Sequence, residues 1–117
     1  MTARARLDAA MTEAQLQDTI VTAARLHGWA SYHTRDSRGS DRGFPDLVLV
    51  HPRHGVYFAE LKSARGRVTA DQRAWLDQLR RADAHTFLWR PEHLDEVLGL
   101  LATGRCNAGR VGVWIPT

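Results

Sequence analysis

Residues 44–62 constrain this chain more than any other stretch. Two runs rich in β-branched, aromatic and aliphatic residues, Phe44 to Val50 and Val56 to Lys62, flank His51-Pro52-Arg53-His54-Gly55. A Pro- and Gly-bearing segment between two such runs reads as the turn of a β-hairpin. Pro45 falls at the start of its strand, where a missing N–H is tolerated. Strand residues two apart share a face, so Val56, Phe58, Glu60 and Lys62 point the same way. With the hairpin centred on Arg53, Asp46 lies opposite Glu60, and directly opposed side chains have Cβ atoms about 4.5–5.5 Å apart. Two carboxylates and a lysine are therefore expected on one small patch.

The rest of the chain supplies what such a hairpin needs on its faces. Thr12 and Gln15 have capping-box spacing at the head of a helix, with Leu16, Ile20, Ala23, Ala24 and His27 recurring at helical intervals and Gly28 as the stop. Trp29 to His33 reads as a short strand, and the polar, Gly-bearing residues 34–43 as a loop. Ser63 to Val68 is a basic loop. Thr69 and Gln72 repeat the capping-box spacing ahead of Trp75, Leu76, Leu79 and Ala82. His85 to Trp89 reads as a further strand. Pro91 opens a last helix with Leu94, Val97, Leu98 and Leu101 inward, and Val111 to Ile115 reads as a terminal strand. The fold expected is α/β, a mixed sheet flanked by helices. Residues 1–11 read as a frayed leader, with Met1 or Met11 as the start, and residues 12–117 as one domain.

Composition narrows the class. The 117 residues suffice for one domain with a core of its own. The longest apolar run, Leu47 to Val50, is too short for a bilayer, and no apolar stretch follows Arg4 and Arg6, so a cytoplasmic protein without membrane contact is expected. The single cysteine, Cys106, excludes an internal disulfide and a Cys-rich zinc site. The net charge of +3 permits a nucleic-acid partner without requiring one. Its distribution is more telling: Arg35, Arg38 and Arg42 precede the hairpin, and Arg65, Arg67 and Arg73 follow it. Of the 16 basic residues, Lys62 is the only lysine. A lysine is a compact charge that can give up its proton when desolvated, as a guanidinium cannot.

Paired carboxylates repel unless a proton or a cation intervenes. Oxygen ligands at octahedral spacing suit Mg2+ or Mn2+. On spacing alone, a surface hairpin with ordinary ion pairs is the favoured reading, because short motifs often match by chance. His51 and His54 sit in the turn without a second ligand pair and read as surface histidines; Trp29, Trp75 and Trp89 read as core.

The ordered set of motifs goes further. Gly43-Phe44-Pro45-Asp46 followed by Glu60-Leu61-Lys62 resembles the PD-(D/E)XK nuclease signature. With Tyr57-Phe58-Ala59 ahead of Glu60, and Gly66 to Leu76 including Gln72 and Trp75, residues 12–101 resemble the VRR-NUC branch of that superfamily. The resemblance implies a restriction-endonuclease-like core and metal-dependent hydrolysis of DNA phosphodiesters. It implies Asp46 and Glu60 as metal ligands, with the Leu61 carbonyl as a third. Lys62 matches the catalytic lysine, Glu13 the early acid that completes the metal site directly or through water, and Gln72 a glutamine reaching the site from the next helix. Glu13 and Gln72 also have purely local uses, as a helix N-terminal acid and a capping-box partner. Stand-alone members resemble structure-specific resolvases. A branched or four-way DNA junction is therefore the expected partner, and a symmetric homodimer the expected assembly. A DNA-binding module without cleavage, an RNA-directed nuclease and a restriction-type nuclease are the alternatives.

Overall fold

The computed structural model describes residues 1–34 and 41–104. In chain order they form α1 (Ala3–Ala10), α2 (Glu13–Leu26), β1 (Ala30–His33), β2 (Leu47–His51), β3 (Gly55–Leu61), α3 (Ala70–Arg81), β4 (His85–Trp89) and α4 (Leu94–Thr103), the last entered through a 3-10 turn at Pro91–His93. The strands lie in the order β1-β2-β3-β4. The first two pairings are antiparallel; β4 is parallel to β3, which requires the crossover that α3 provides.

The hairpin register follows the alternation of its sequence. Leu47 pairs with Ala59, Val50 with Val56 and His51 with Gly55, which centres the turn on Arg53. His51 and Gly55 join the ladder, so only Pro52, Arg53 and His54 connect the strands, and Gly55 takes the left-handed φ of +89° that the tight return needs.

One face of the sheet carries Leu47, Leu49, Tyr57, Ala59, Leu61, Phe87 and Trp89. These pack with Leu16, Ile20 and Ala24 of α2 and Val97, Leu100 and Leu101 of α4 in one buried core. Trp29 closes its end, its indole N–H donating to the Leu101 carbonyl at 2.9 Å. On the opposite face Phe58 meets Phe44, which meets Trp75 of α3, both in edge-on contacts. Both expected capping boxes form: Thr12 with Gln15 heads α2, and Thr69 with Gln72 heads α3.

Several expectations shift. Residues 3–10, read as a frayed leader, form α1. Thr2 accepts from the Ala5 N–H, Arg4 pairs with Asp8 at 3.3 Å and with Asp95 of α4 at 3.0 Å, and the alanines favour helix without any buried stripe. In α4 the buried stripe is Val97, Leu100 and Leu101, so Leu100 takes the inner position expected of Leu98, which stays partly exposed. Ala82 is an exposed cap of α3, which buries Leu76 fully and Trp75 and Leu79 in part. His51 and His54 are not free surface rings: they stack at 4.2 Å and both lie against Trp29. Arg35, Arg38, Cys106, Trp114 and the strand expected at Val111 to Ile115 lie outside the described residues. No described helix is long and apolar enough to cross a membrane.

Candidate active site

The face that packs against α3 also carries the acidic pair. One step beyond the Leu47–Ala59 pair, the register sets Asp46 opposite Glu60. Asp46 is fastened from both sides. Its Oδ2 accepts the Leu61 N–H at 2.8 Å, and its main-chain carbonyl accepts the Thr34 N–H at 2.8 Å. Thr34 also donates its hydroxyl to the Pro45 carbonyl at 2.8 Å. A threonine just past β1 thus extends the ladder to the two residues ahead of β2. Nothing in the spacing of the sequence points to this role, because the partners are carbonyls and carry no side-chain signature.

One step further, the register faces Pro45 with Leu61. Proline has no N–H, so that position offers the Leu61 carbonyl no ladder donor. Two carboxyl groups and a backbone carbonyl therefore border the same corner.

Glu60 is 1% exposed and Lys62 8%. Lys62 Nζ lies 3.8 Å from Glu60 Oε2, an ion-pair separation longer than a hydrogen bond. Glu60 Oε1 is buried without a hydrogen-bond partner among the described residues. Burial pushes the Glu60 carboxyl up to about 9; the neighbouring Asp46 adds to the rise, by charge and by hydrogen bonding, Lys62 opposes it, and the charge of Glu13 contributes a little more. At neutral pH Glu60 accordingly carries a proton in the metal-free protein, and the proton relieves its repulsion with Asp46.

An orphaned buried oxygen beside a second carboxylate is an unfinished polar group that a hard cation would complete. Asp46, Glu60 and the Leu61 carbonyl could hold one. The side chains alone are too few for an all-protein cage: among the described residues no group of three or more His, Cys, Asp or Glu is arranged to grip a metal.

The other expected site residues fall at graded distances from this centre. Glu13 opens α2 on the far side of the sheet and is exposed, near enough for its charge to act on Glu60 but outside the acidic pair. Gln72 lies in the first turn of α3. Its Oε1 accepts the Thr69 N–H at 2.9 Å, so the capping role is the one its side chain adopts. Arg42, Arg65, Arg67 and Arg73 are exposed, in the loops on either side of the hairpin and in the first turns of α3. The loop that carries Pro45-Asp46 is locked onto α3 at Gly43. There φ is +88°, and a Cβ would run into the backbone of Asp71 and Gln72.

A mixed four-stranded sheet flanked by helices, with a carboxylate pair and a lysine at the open end of its central hairpin, is the class that fold and site define. The sequence matches the VRR-NUC domain over residues 5–90, so the chain belongs to that family and carries its nuclease-type function in general terms. A solved structure described as a VRR_NUC domain superposes with a TM-score of 0.64 at 21% identity, covering 77% of this chain and 97% of the other, and supports the fold. No curated protein matches.

Proposed function

We propose that the chain is a divalent-cation-dependent endonuclease that hydrolyses DNA phosphodiester bonds, with Asp46, Glu60 and Lys62 at its centre. The observation that carries the reading is the buried Oε1 of Glu60, without a hydrogen-bond partner among the described residues, beside Asp46 and Lys62. A DNA-binding module would gain nothing from paired carboxylates turned toward an anionic backbone.

Asp46, Glu60 and the Leu61 carbonyl would hold Mg2+ or Mn2+. When bound, the cation polarises the phosphate and lowers the proton affinity of an attacking water. Asp46 is oriented for its part by the Leu61 N–H. Lys62 directs its ammonium at the incoming water and at the charge that builds on the phosphoryl oxygens. Glu13 adds negative potential from the head of α2. Gln72 reaches the site only by giving up its cap bond. Water attacks phosphorus in line with the P–O3′ bond and that bond breaks: the water's proton passes to solvent, the 3′ oxygen leaves and takes up a proton to become a hydroxyl, and the phosphate stays on the 5′ end, as the family resemblance implies. Arg42, Arg65, Arg67 and Arg73, with Arg35 and Arg38, supply phosphate contacts that position the duplex without reading its sequence. So small a domain suits recognition of shape, and a branched or four-way junction cut by a homodimer is the substrate and assembly we infer.

The test is a panel of labelled single-stranded, duplex, flap and four-way-junction DNAs and one RNA, incubated in EDTA, Mg2+ or Mn2+. Lys62→Ala and Asp46→Ala are run alongside. Metal-dependent cutting, reduced at least about a hundredfold in both variants, is expected. Binding without cutting in either metal, unchanged by the variants, would replace this reading with a non-cleaving DNA-binding module. Preference for the RNA would redirect the substrate. Gel filtration that shows only monomer, with and without junction DNA, would remove the dimer.

A further inference from the structure

Arg90 stands one residue past β4, where the parallel pairing brings the ends of β3 and β4 side by side. Leu61 pairs with Trp89, and the Lys62 N–H donates to the Trp89 carbonyl at 3.0 Å. From there the Arg90 guanidinium turns back under the loop that follows Lys62. Its Nη1 donates to the Ser63 and Gly66 carbonyls at 2.8 Å each, with a longer contact of 3.5 Å to the Ala64 carbonyl. These acceptors converge because the Gly66 N–H donates to the Ser63 carbonyl at 3.2 Å and closes a turn. The turn is folded against the Lys62 stem: a Cβ on Gly66 would lie 3.4 Å from Lys62 Cδ and 3.0 Å from Ser63 Oγ.

A lysine stem has four rotatable bonds and no shape of its own, so an ammonium held in one place must be held by its walls. Here one wall is a short loop whose carbonyls lie beyond the sheet ladder, and a single cationic nitrogen gathers them by charge-assisted bonds. Arg90 makes these bonds to main chain, so this nitrogen serves the loop and is not available to a phosphate.

We infer that Arg90 is a positioning residue: it folds the Ser63–Gly66 turn onto the Lys62 stem and thereby sets where the Lys62 ammonium sits. The catalytic half of this inference rests on the nuclease reading above; the positional half does not.

Lys62 is the only lysine in the chain, so full-length protein grown on lysine labelled with 13C at the ε carbon gives a single side-chain signal. That signal is recorded for the wild type, Arg90→Gln and Arg90→Lys, with Arg53→Gln at the hairpin tip as a control. Melting curves and saturation kinetics are measured on the same samples. In Arg90→Gln the signal is expected to move or broaden, and kcat to fall about tenfold or more with KM within about threefold, since small misplacements of a reacting group are costly. Arg90→Lys, which keeps a cation but not the fork, is expected to fall between; Arg53→Gln is expected to match the wild type. An unmoved Lys62 signal overturns the inference, whatever happens to kcat. So does a fall in kcat that merely tracks the unfolded fraction. Should Arg90→Gln fail to fold, Arg90→Lys decides by the same criteria. If the wild type cuts nothing in any metal, the nuclease reading fails, and the Lys62 signal alone decides whether Arg90 positions the side chain.

Discussion

Glu60 is the residue at which stability and proposed chemistry pull against each other. Its carboxyl titrates at about 9 in the folded chain against 4.5 for the ordinary group, chiefly through burial. Between those values the native state binds a proton that the unfolded state has released. The contribution is therefore complete below the lower value and is lost as pH rises through the higher one. The metal-free protein should lose stability steadily over that window, and Glu60→Gln, which keeps the shape without the proton, should flatten the slope and outlast the wild type at alkaline pH. Urea midpoints in EDTA across the range decide this; parallel slopes for the two proteins would show that Glu60 does not hold the proton. The acidic pair was legible in the sequence because a two-residue period and a symmetric turn fix which side chains oppose each other. Thr34 was not, since its hydroxyl and amide serve the carbonyls of Pro45 and Asp46, across a loop of unrelated sequence.

At the scale of elements, the loop before β2 and the first turn of α3 are one unit joined at Gly43. Gly43→Ala meets the backbone of Asp71 and Gln72 while forcing a left-handed φ, and should cost about 2–4 kcal/mol. Gly55→Ala shares the φ but has nothing within 4 Å, and should cost only about 1–2 kcal/mol. Chemical denaturation of the two variants tests the difference; equal losses would mean that the close approach at Gly43 is relaxed at no cost. The capping boxes at Thr12 and Thr69 could be read directly, because their donors and acceptors lie three residues apart. Thr69→Ala should lower stability by about 1 kcal/mol in the same assay. The helix at residues 3–10 could not be read. It has no buried stripe, and its tie to the rest of the molecule is an ion pair with Asp95, far away in sequence.

For the whole molecule, the proposed function makes proton and cation compete for one corner. Added Mn2+ or Mg2+ should raise the melting temperature by an amount that grows with pH, because metal must displace the Glu60 proton. A cation present at a hundred times its dissociation constant would add about 2.7 kcal/mol. Asp46→Ala should abolish the shift, and differential scanning fluorimetry in EDTA and in metal reads it. In the proposed function the exposed arginines act over longer range. Arg65→Ala should reduce the salt dependence of DNA binding by about one unit of slope, without altering preference between duplex sequences of one shape. Fluorescence anisotropy at several salt concentrations measures this.

The parallel pairing of β3 with β4 also imposes an order in time. Asp46 and Glu60 meet when a short hairpin closes, an event that needs little loop entropy and only the local chain. The turn that backs Lys62 cannot be fastened until α3 has crossed over and Arg90 has been made. The contact between the acidic pair thus draws on residues 46–60, whereas the support of the lysine draws on the chain as far as Arg90. Nearly all of the matched segment, residues 5–90, must therefore be made before the proposed trio is complete.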